Sequence, residues 1–354
     1  MTSTPFSLQI IPSQSRPMLV RSPLVVRSPN WLGDAVMALP AVRNLKELLG
    51  PSPLTVATPA KIADLWRACP WVDHVLELDQ PRHLWATAAR LRTQRFACAV
   101  LLPNSLRSAA EARLAGIPSV IGYGRSLRSW LLSKSVRTPE YSPARSHQQY
   151  YYIDLIRSIG SWDNSEFPPL QPVVPLGFKD KEPGDAPVLA LCPGAEYGPA
   201  KRWPVEYYAE VAQALHEKRG ARVEIFGAAK DVAVAQELMK LLPHAINRTG
   251  QTTLQELLVI LHRARLVLCN DSGAMHLASA LGAPTAAIFG STEPSRTGPL
   301  GPRTQIFRRH VPCSPCFLRE CPLDFACMHG VPPAIVLPAC LEMWDKYESA
   351  SVSK

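Results

Sequence analysis

The sequence predicts an α/β protein made of two doubly wound domains in tandem. Short apolar runs alternate with amphipathic helical patterns, which is typical of parallel sheets covered by helices on both faces. The alternation fades between about residues 161 and 186, where proline, glycine and charged residues dominate, and it then restarts. A length of 354 residues suits two ordinary domains.

Composition and charge narrow the class of protein. Hydrophobic residues make up 47% of the chain and charged residues 19%, as in a core-forming globular protein. The net charge of +9 suits nucleic acid, an anionic membrane or a phosphorylated substrate. No nucleic-acid-binding signature is found, so we expect no nucleic-acid partner. Nine cysteines, an odd number, favour reduced thiols. With no apolar run of spanning length and no signal-peptide pattern, we expect a cytoplasmic protein.

The first predicted domain covers residues 24–165 and follows a flexible N-terminal extension, 1–23. Its strands are read from the segments LVVRSP, LTVATP, VDHVLELD, ACAVLLPN and SVIGYG. Helical patterns separate them in DAVMALPAVRNLKELLG, AKIADLWRAC and LWATAARLRTQ, the first of which ends at Gly50, a typical helix stop.

A linker is predicted at 166–186, and the second domain covers 187–354. Its strands are read from VLALCPG, ARVEIFGAA, LVLCND and TAAIFG. Its helices are read from WPVEYYAEVAQALHEKRG, DVAVAQELMKLL, TLQELLVILHRA and the segment after NDSG. Ligands of such sheets bind beyond the carboxyl ends of the strands, so the turns from strand to helix are the candidate sites.

The first candidate turn is SPNWLGDAVMALP. Gly33 permits a tight turn or a close backbone approach. Asp34 opens the predicted helix, where its carboxylate either caps free N–H groups or serves as a general base facing a cleft between the domains. Asn30, in the same turn, is a candidate substrate-binding residue.

The second candidate turn is CPGAEYGPAKRWP. Gly194 and Gly198 bracket it, and Lys201 stands at its end, beside the entrance to a helix. Glycines and cations at such a place suit a phosphate group. The spacings of a P-loop and of a dinucleotide fingerprint are both absent. An ordinary loop with a solvated lysine is the alternative.

The third candidate turn is NDSGAMH. Asp271 or Ser272 can cap the following helix, and Gly273 lets a ligand approach the backbone, whose first N–H groups point at an anion. His276 lies one turn inside this helix, near enough to its N-terminus to donate a hydrogen bond to a phosphate or a sugar. A satisfied core histidine is the alternative.

Two further clusters were considered. Four cysteines in CSPCFLRECPLDFAC could form a structural zinc site, although their spacing is irregular and we favour no metal: Cys313, Cys316, Cys321 and Cys327. Seven cations lie between Asn104 and His147 against only two acids, which indicates a solvated basic face or an anion-binding surface: Arg107, Arg113, Arg125, Arg128, Lys134, Arg137 and Arg145.

Four segments together carry a resemblance to a known family: NWLGDAVMALPAVRNL, CPGAEYGPAKRWPVEYYAEVA, NDSGAMHLASALGAPTAAIFGSTEP and CSPCFLRECP. Over about residues 24–350 the chain resembles the ADP-heptose:lipopolysaccharide heptosyltransferases of glycosyltransferase family 9. GAEYGPAKRWP and CSPCFLRECP are similar to the type II branch in particular.

The resemblance implies a GT-B fold, in which two Rossmann-like domains face a central cleft and the C-terminal helix returns to the first domain. It implies that the first domain binds the acceptor, a lipid A-linked inner-core oligosaccharide, and that the second binds ADP-heptose. The implied reaction is inverting transfer of L-glycero-D-manno-heptose to the first heptose of the lipopolysaccharide inner core, with no cofactor and no metal required. Heptosyltransferase I, another ADP-sugar transferase and a non-catalytic nucleotide-sugar-binding module are the alternatives.

By matching motif, the resemblance implies that Asp34 is the general base and that Lys201 holds the diphosphate. It places Asp231 near the nucleotide ribose. The residues that would line the donor phosphate and heptose site are Asp271, Ser272, Gly273 and His276. The basic residues of 107–145 would meet the acceptor's carboxylates and phosphates, and peripheral contact with the cytoplasmic face of the inner membrane is expected.

Overall fold

The computed structural model describes residues 23–78, 83–140, 146–160 and 186–351, without the side chains of 347–351. We call residues 24–160 the N-terminal unit and 186–351 the C-terminal unit. Apart from their last residues, the predicted N-terminal extension and linker lie outside the described residues.

Each unit contains one six-stranded parallel sheet. The strands of the N-terminal unit are β1 Leu24–Arg27, β2 Leu54–Pro59, β3 His74–Leu78, β4 Cys98–Leu101, β5 Ser119–Tyr123 and β6 Lys134–Val136. Those of the C-terminal unit are β7 Val188–Cys192, β8 Arg222–Ile225, β9 Ile246–Asn247, β10 Leu266–Asn270, β11 Thr285–Phe289 and β12 Thr304–Arg308. The spatial orders are β3-β2-β1-β4-β5-β6 and β12-β11-β10-β7-β8-β9, which are the same Rossmann order. The predicted pair of doubly wound sheets is confirmed.

Helices cover both sheets. In the N-terminal unit they are α1 Leu32–Leu49, α2 Ala63–Arg67, α3 Leu84–Thr93, α4 Leu106–Leu114 and α5 Gln148–Arg157. In the C-terminal unit they are α6 Val205–Arg219, α7 Val232–Leu241, α8 Leu254–Arg263, α9 Gly273–Ala280, α10 Pro294–Thr297, α11 Ala326–His329 and α12 Pro333–Ser351. Central strands are buried along their whole length, as the apolar runs predict.

Helix α1 starts earlier than the sequence predicts, and this removes one interpretation of Asp34. The N-cap is Trp31, which makes no side-chain capping bond, and Asp34 lies inside the first turn. The capping role considered for Asp34 is therefore wrong. The end of α1 is as predicted, because Gly50 adopts a positive φ of 57° after the last helical residue.

The two units share one apolar core along their contact. Buried side chains of α1, α2 and α5 form a single cluster with those of α8 and α9. Since α1 follows β1 and α9 follows β10, the contact between their first turns brings the carboxyl edges of the two sheets face to face. The predicted GT-B arrangement, with both sheets opening on one cleft, is what the structure has.

The C-terminal helix α12 packs on α6 of its own unit. Val336, Cys340, Met343 and Trp344 recur at helical spacing and are buried in the core of the C-terminal unit, where α12 packs on α6. Arg219 of α6 also pairs with Asp345 at 2.6 Å. The apolar stripe of α12 is thus covered within the C-terminal unit.

Candidate active site

The first turns of α1 and α9 approach each other closely at two glycines. A Cβ at Gly33 would lie 2.9 Å from Cδ2 of His276, and a Cβ at Gly273 would lie 3.1 Å from Cβ of Leu32. Ser272 is the N-cap of α9, and its Oγ accepts from Met275 N at 3.4 Å. The remaining N–H groups of this first turn have no partner within the helix and suit an anion.

Lys201 and Asp271 form an ion pair at the mouth of this contact. Lys201 Nζ donates to Asp271 Oδ2 at 2.5 Å, and Thr292 Oγ1 donates to the same oxygen at 2.6 Å. Asp271 is almost fully buried. The pair joins the turn after β7 to the turn after β10, two neighbouring strands of one sheet. Thr292 was not singled out from the sequence, although it follows β11 at the same sheet edge.

Asp34 approaches this pair from the other unit. Burial raises the pKa of its carboxyl above the ordinary value, and the positive charge of Lys201 opposes that rise. The two side chains are therefore close enough to interact electrostatically across the contact between the units. A carboxylate with a raised pKa is a stronger proton acceptor than an ordinary surface aspartate, as a general base requires.

His276 lies in the same contact as a neutral imidazole. Burial lowers its pKa from 6.5 to about 4, Asp271 acts in the opposite direction, and His147 and Lys201 lower it further. No hydrogen bond to a described residue is formed by its ring. A buried neutral imidazole of this kind can still donate or accept one hydrogen bond with a ligand.

Asn270 joins the second and third candidate turns. Its Oδ1 accepts from Trp203 N and from the Tyr208 hydroxyl, both at 3.0 Å, and its Nδ2 donates to Pro193 O at 2.7 Å. The side chain is completely buried. The side-chain amide of Asn270 therefore holds the loop that carries Lys201 in position. Sequence analysis had not assigned a role to it.

Gly194 and Asp231 lie together beside the same loop. A Cβ at Gly194 would come within 2.5 Å of the Asp231 carboxyl, so only glycine permits this approach. Asp231 Oδ2 accepts from Ala228 N at 3.1 Å, and Oδ1 is buried without a hydrogen-bond partner, with Arg202 at 3.7 Å. This unused oxygen could accept a ligand hydroxyl.

Two predicted residues lie at the margins of the site. Asn30 is exposed, and its Oδ1 accepts from Arg27 at 3.0 Å, while Arg27 in turn faces the buried Glu111 at 3.7 Å. Gly198 lies against the backbone of Arg319, where a Cβ would be 2.3 Å from the carbonyl oxygen. Arg27 and Arg319 were both missed by sequence analysis.

The four cysteines of the candidate zinc cluster lie near one another in the structure. Burial, and then the neighbouring Cys313, Cys321 and Cys316, raise the pKa of Cys327, so the four thiols are near one another. All four are free. Nevertheless, no three His, Cys, Asp or Glu side chains among the described residues are arranged to hold a metal ion.

The basic segment is less solvated than its composition suggests. Arg128 is only 2% exposed and donates to the carbonyls of Tyr123 and Pro103. Arg107 pairs with the buried Glu111, and Arg113 donates to Leu131 O. The prediction of a solvated basic face is therefore wrong for Arg128, which is buried against backbone carbonyls. Arg145 lies outside the described residues.

The chain is similar to known proteins that share this architecture. The sequence profile of glycosyltransferase family 9 (heptosyltransferase) matches residues 84–326. The chain belongs to this family. Members of this family transfer sugars, so the protein is a glycosyltransferase.

Individual members of the family and one solved structure are similar to this chain over most or part of its length. Lipopolysaccharide heptosyltransferase 2 of Escherichia coli (strain K12) is 30% identical over 311 residues, 80% of this chain and 87% of that protein. Lipopolysaccharide heptosyltransferase 1 of Pseudomonas aeruginosa is 35% identical over 144 residues, but these are only 40% of this chain and 39% of that protein. The solved E. coli ADP-heptose LPS heptosyltransferase II superposes with a TM-score of 0.74 and 26% identity, covering 92% of this chain and 99% of that one.

Proposed function

We propose that this family 9 chain transfers L-glycero-D-manno-heptose from ADP-heptose to the first heptose of the lipopolysaccharide inner core, with inversion. One observation carries the proposal: the Asp34 carboxyl of one unit lies within electrostatic reach of the Lys201–Asp271 pair of the other. Relatives named for heptosyl transfer support the choice of sugar and acceptor.

The C-terminal unit is proposed to hold the donor. The first turn of α9 and Lys201 would contact the diphosphate, Asp231 a ribose hydroxyl, and His276 the heptose or the adjoining phosphate. Gly194 and Gly273 would let the ligand approach the backbone. Phosphate at a helix N-terminus is stabilised by the free N–H groups and by the helix dipole.

The chemistry follows from the positions of these groups. Asp34 would accept the proton of the attacking acceptor hydroxyl, whose oxygen forms a bond to the anomeric carbon as the bond from that carbon to the diphosphate oxygen breaks. Attack from the face opposite ADP inverts the anomeric centre. Negative charge develops on the departing ADP, so Lys201 and the α9 N–H groups act most strongly in the transition state.

The N-terminal unit is proposed to bind the lipid-linked acceptor and to contact the anionic membrane surface. Its exposed large apolar side chains, among the described residues, all follow the carboxyl ends of strands: Trp31, Trp85, Leu106, Leu127 and Trp130. We call these five residues the apolar rim. Tryptophan is enriched where proteins meet lipid headgroups. No helix in the described ranges is both long and apolar enough to span a bilayer.

The proposal is tested by incubating the full chain with ADP-heptose and two acceptors, Kdo2-lipid A with no heptose and with one. We expect the mass of one heptose to be added only to the acceptor that already carries one. Addition to the acceptor without heptose would indicate heptosyltransferase I activity instead. Binding of ADP-heptose without any product would indicate a non-catalytic binding module.

A further inference from the structure

The two segments most typical of the type II branch contact each other. We call residues 193–203 the donor loop and 313–321 the cysteine segment. The Tyr197 hydroxyl donates to Phe317 O at 2.7 Å, and Ala200 N donates to Arg319 O at 3.0 Å. A Cβ at Gly198 would lie 2.3 Å from Arg319 O, so glycine is needed for this contact. The cysteine segment is therefore fixed to the loop that carries Lys201.

Tyr197 holds two cations against one ring. Lys201 Nζ lies 5.0 Å from the ring centroid, and Arg319 Cζ lies 5.1 Å from it. Both distances suit cation–π contacts. The two charged groups are consequently within about 10 Å of each other. A diphosphate bound at Lys201 would have to span at most about this distance to contact Arg319 as well.

The positive charge of Lys201 is already shared with two carboxylates. Lys201 is already paired with Asp271 at 2.5 Å, and its charge also acts on Asp34. With both carboxylates ionised, this group of three side chains is net negative before a diphosphate enters. Arg319, in contrast, makes no ion pair with any residue in the described ranges, and its side chain is exposed.

We propose that Arg319 is a second phosphate-binding residue of the donor site, contributing the unpaired positive charge that Lys201 lacks. This rests on the proposed function, and it assigns to the cysteine segment a role in holding the diphosphate. Its guanidinium would contact the phosphate attached to heptose, the one that leaves with the developing charge. Tyr197 keeps both cations in place before the donor arrives.

The test compares binding of ADP and AMP to the full chain. We expect Arg319→Gln to weaken ADP binding by about ten- to a hundredfold, the usual effect of losing a hydrogen bond to a charged group. AMP binding should change much less, because AMP lacks the outer phosphate. Arg319→Lys should fall between wild type and Arg319→Gln, and ADP binding should lose part of its salt dependence in Arg319→Gln.

Matched variants separate this role from a structural one. Arg309→Gln removes an exposed arginine of the neighbouring stretch, which lies beside Gly330, and should leave ADP binding unchanged. Equal losses of ADP and AMP binding in Arg319→Gln, or no loss at all, would overturn the proposal. If wild type binds ADP but transfers no heptose, the proposed function fails, while the comparison of ADP with AMP still tests Arg319.

Discussion

Burial moves two side chains of the contact between the units toward their neutral forms. It raises the pKa of Asp34 and lowers that of His276 to about 4. At neutral pH, His276 therefore adds no positive charge, and Lys201 and Asp271 remain as a buried pair. Burial of these groups strengthens each electrostatic contact that they make with a ligand.

Replacing Asp34 with asparagine should separate catalysis from stability. Loss of a general base is expected to lower the turnover number by about 10²–10⁴-fold, with ADP affinity nearly unchanged. The wild-type rate should rise with pH through the raised pKa of Asp34, and Asp34→Asn should lose that dependence. Turnover and ADP binding measured from pH 5 to 8 check both. Glu210→Gln, an exposed carboxylate on α6, is the control.

The same substitution has a second, opposite consequence for unfolding. A carboxyl whose pKa is raised in the folded state stabilises the fold below its ordinary pKa, and this contribution is lost as pH rises through the folded value. Wild type is thus destabilised at neutral pH by its ionised Asp34, and Asp34→Asn should have the higher thermal midpoint there. A lower midpoint at pH 7 would contradict the burial argument.

At the scale of elements, the site depends on how three strand ends are tied together. Asn270 at the end of β10 holds the loop that follows β7, and Thr292 after β11 holds the carboxylate that binds Lys201. Helices α1 and α9 then place Asp34 opposite, through an approach that Gly33 and Gly273 allow. The side chains of the candidate site therefore lie in turns, and the parallel strands set the distances between these turns.

We expect Asn270→Ala to reduce both stability and activity. It leaves Trp203 N and Pro193 O without their partner in a buried place, and the Tyr208 hydroxyl keeps only the carbonyl of Cys192 at 3.5 Å. Each buried unsatisfied group costs about 1–3 kcal/mol. Urea unfolding measures the loss of stability, and ADP affinity should fall because the loop of Lys201 is released. Asn247→Ala, at a partly exposed amide on an edge strand, is the control. Equal behaviour of the two variants would refute the role of Asn270.

At the scale of the molecule, the two units share a strand order but differ in their surfaces. Both use the same strand order, and both contribute first turns to the shared contact. In the N-terminal unit, the exposed large apolar side chains all belong to segments that follow strands in the sequence, as far as the described residues extend. Under the proposed function, these side chains would contact the lipid surface that carries the acceptor.

The apolar rim should be needed for binding to lipid and not for chemistry. Trp85 and Trp130 are 72% and 87% exposed. Replacing each by serine should weaken binding to anionic vesicles by about tenfold, the effect of removing a large apolar side chain from a partly buried position. Turnover of an acceptor without acyl chains should be unaffected. Leu323→Ser, 65% exposed in the other unit, is the control in a vesicle sedimentation assay. Equal vesicle binding by wild type and the rim variants would exclude this surface.

Local pattern was enough to predict most elements and all three turns. The central strands are continuous apolar runs because helices cover both faces of each sheet, and this signal depends only on neighbouring residues. The missed strands are weak by the same measure: β6 has three residues, β9 has two, and β12 is half exposed. Similarity to a known family then added the expected roles of Asp34 and Lys201, which pattern alone left open.

Contacts between residues far apart in the chain could be found only in the folded molecule. The sequence places Lys201 and Asp271 seventy positions apart, and Arg319 more distant still; packing of parallel strands at one edge brings them together. The burial of Arg128, the position of Asp34 inside its helix and the packing of α12 on α6 depend on the same assembly. The periodicity of apolar residues in the sequence shows which face of a helix or strand is buried. Which polar groups become partners depends on tertiary packing, because packing sets the distances between residues that are far apart in the chain.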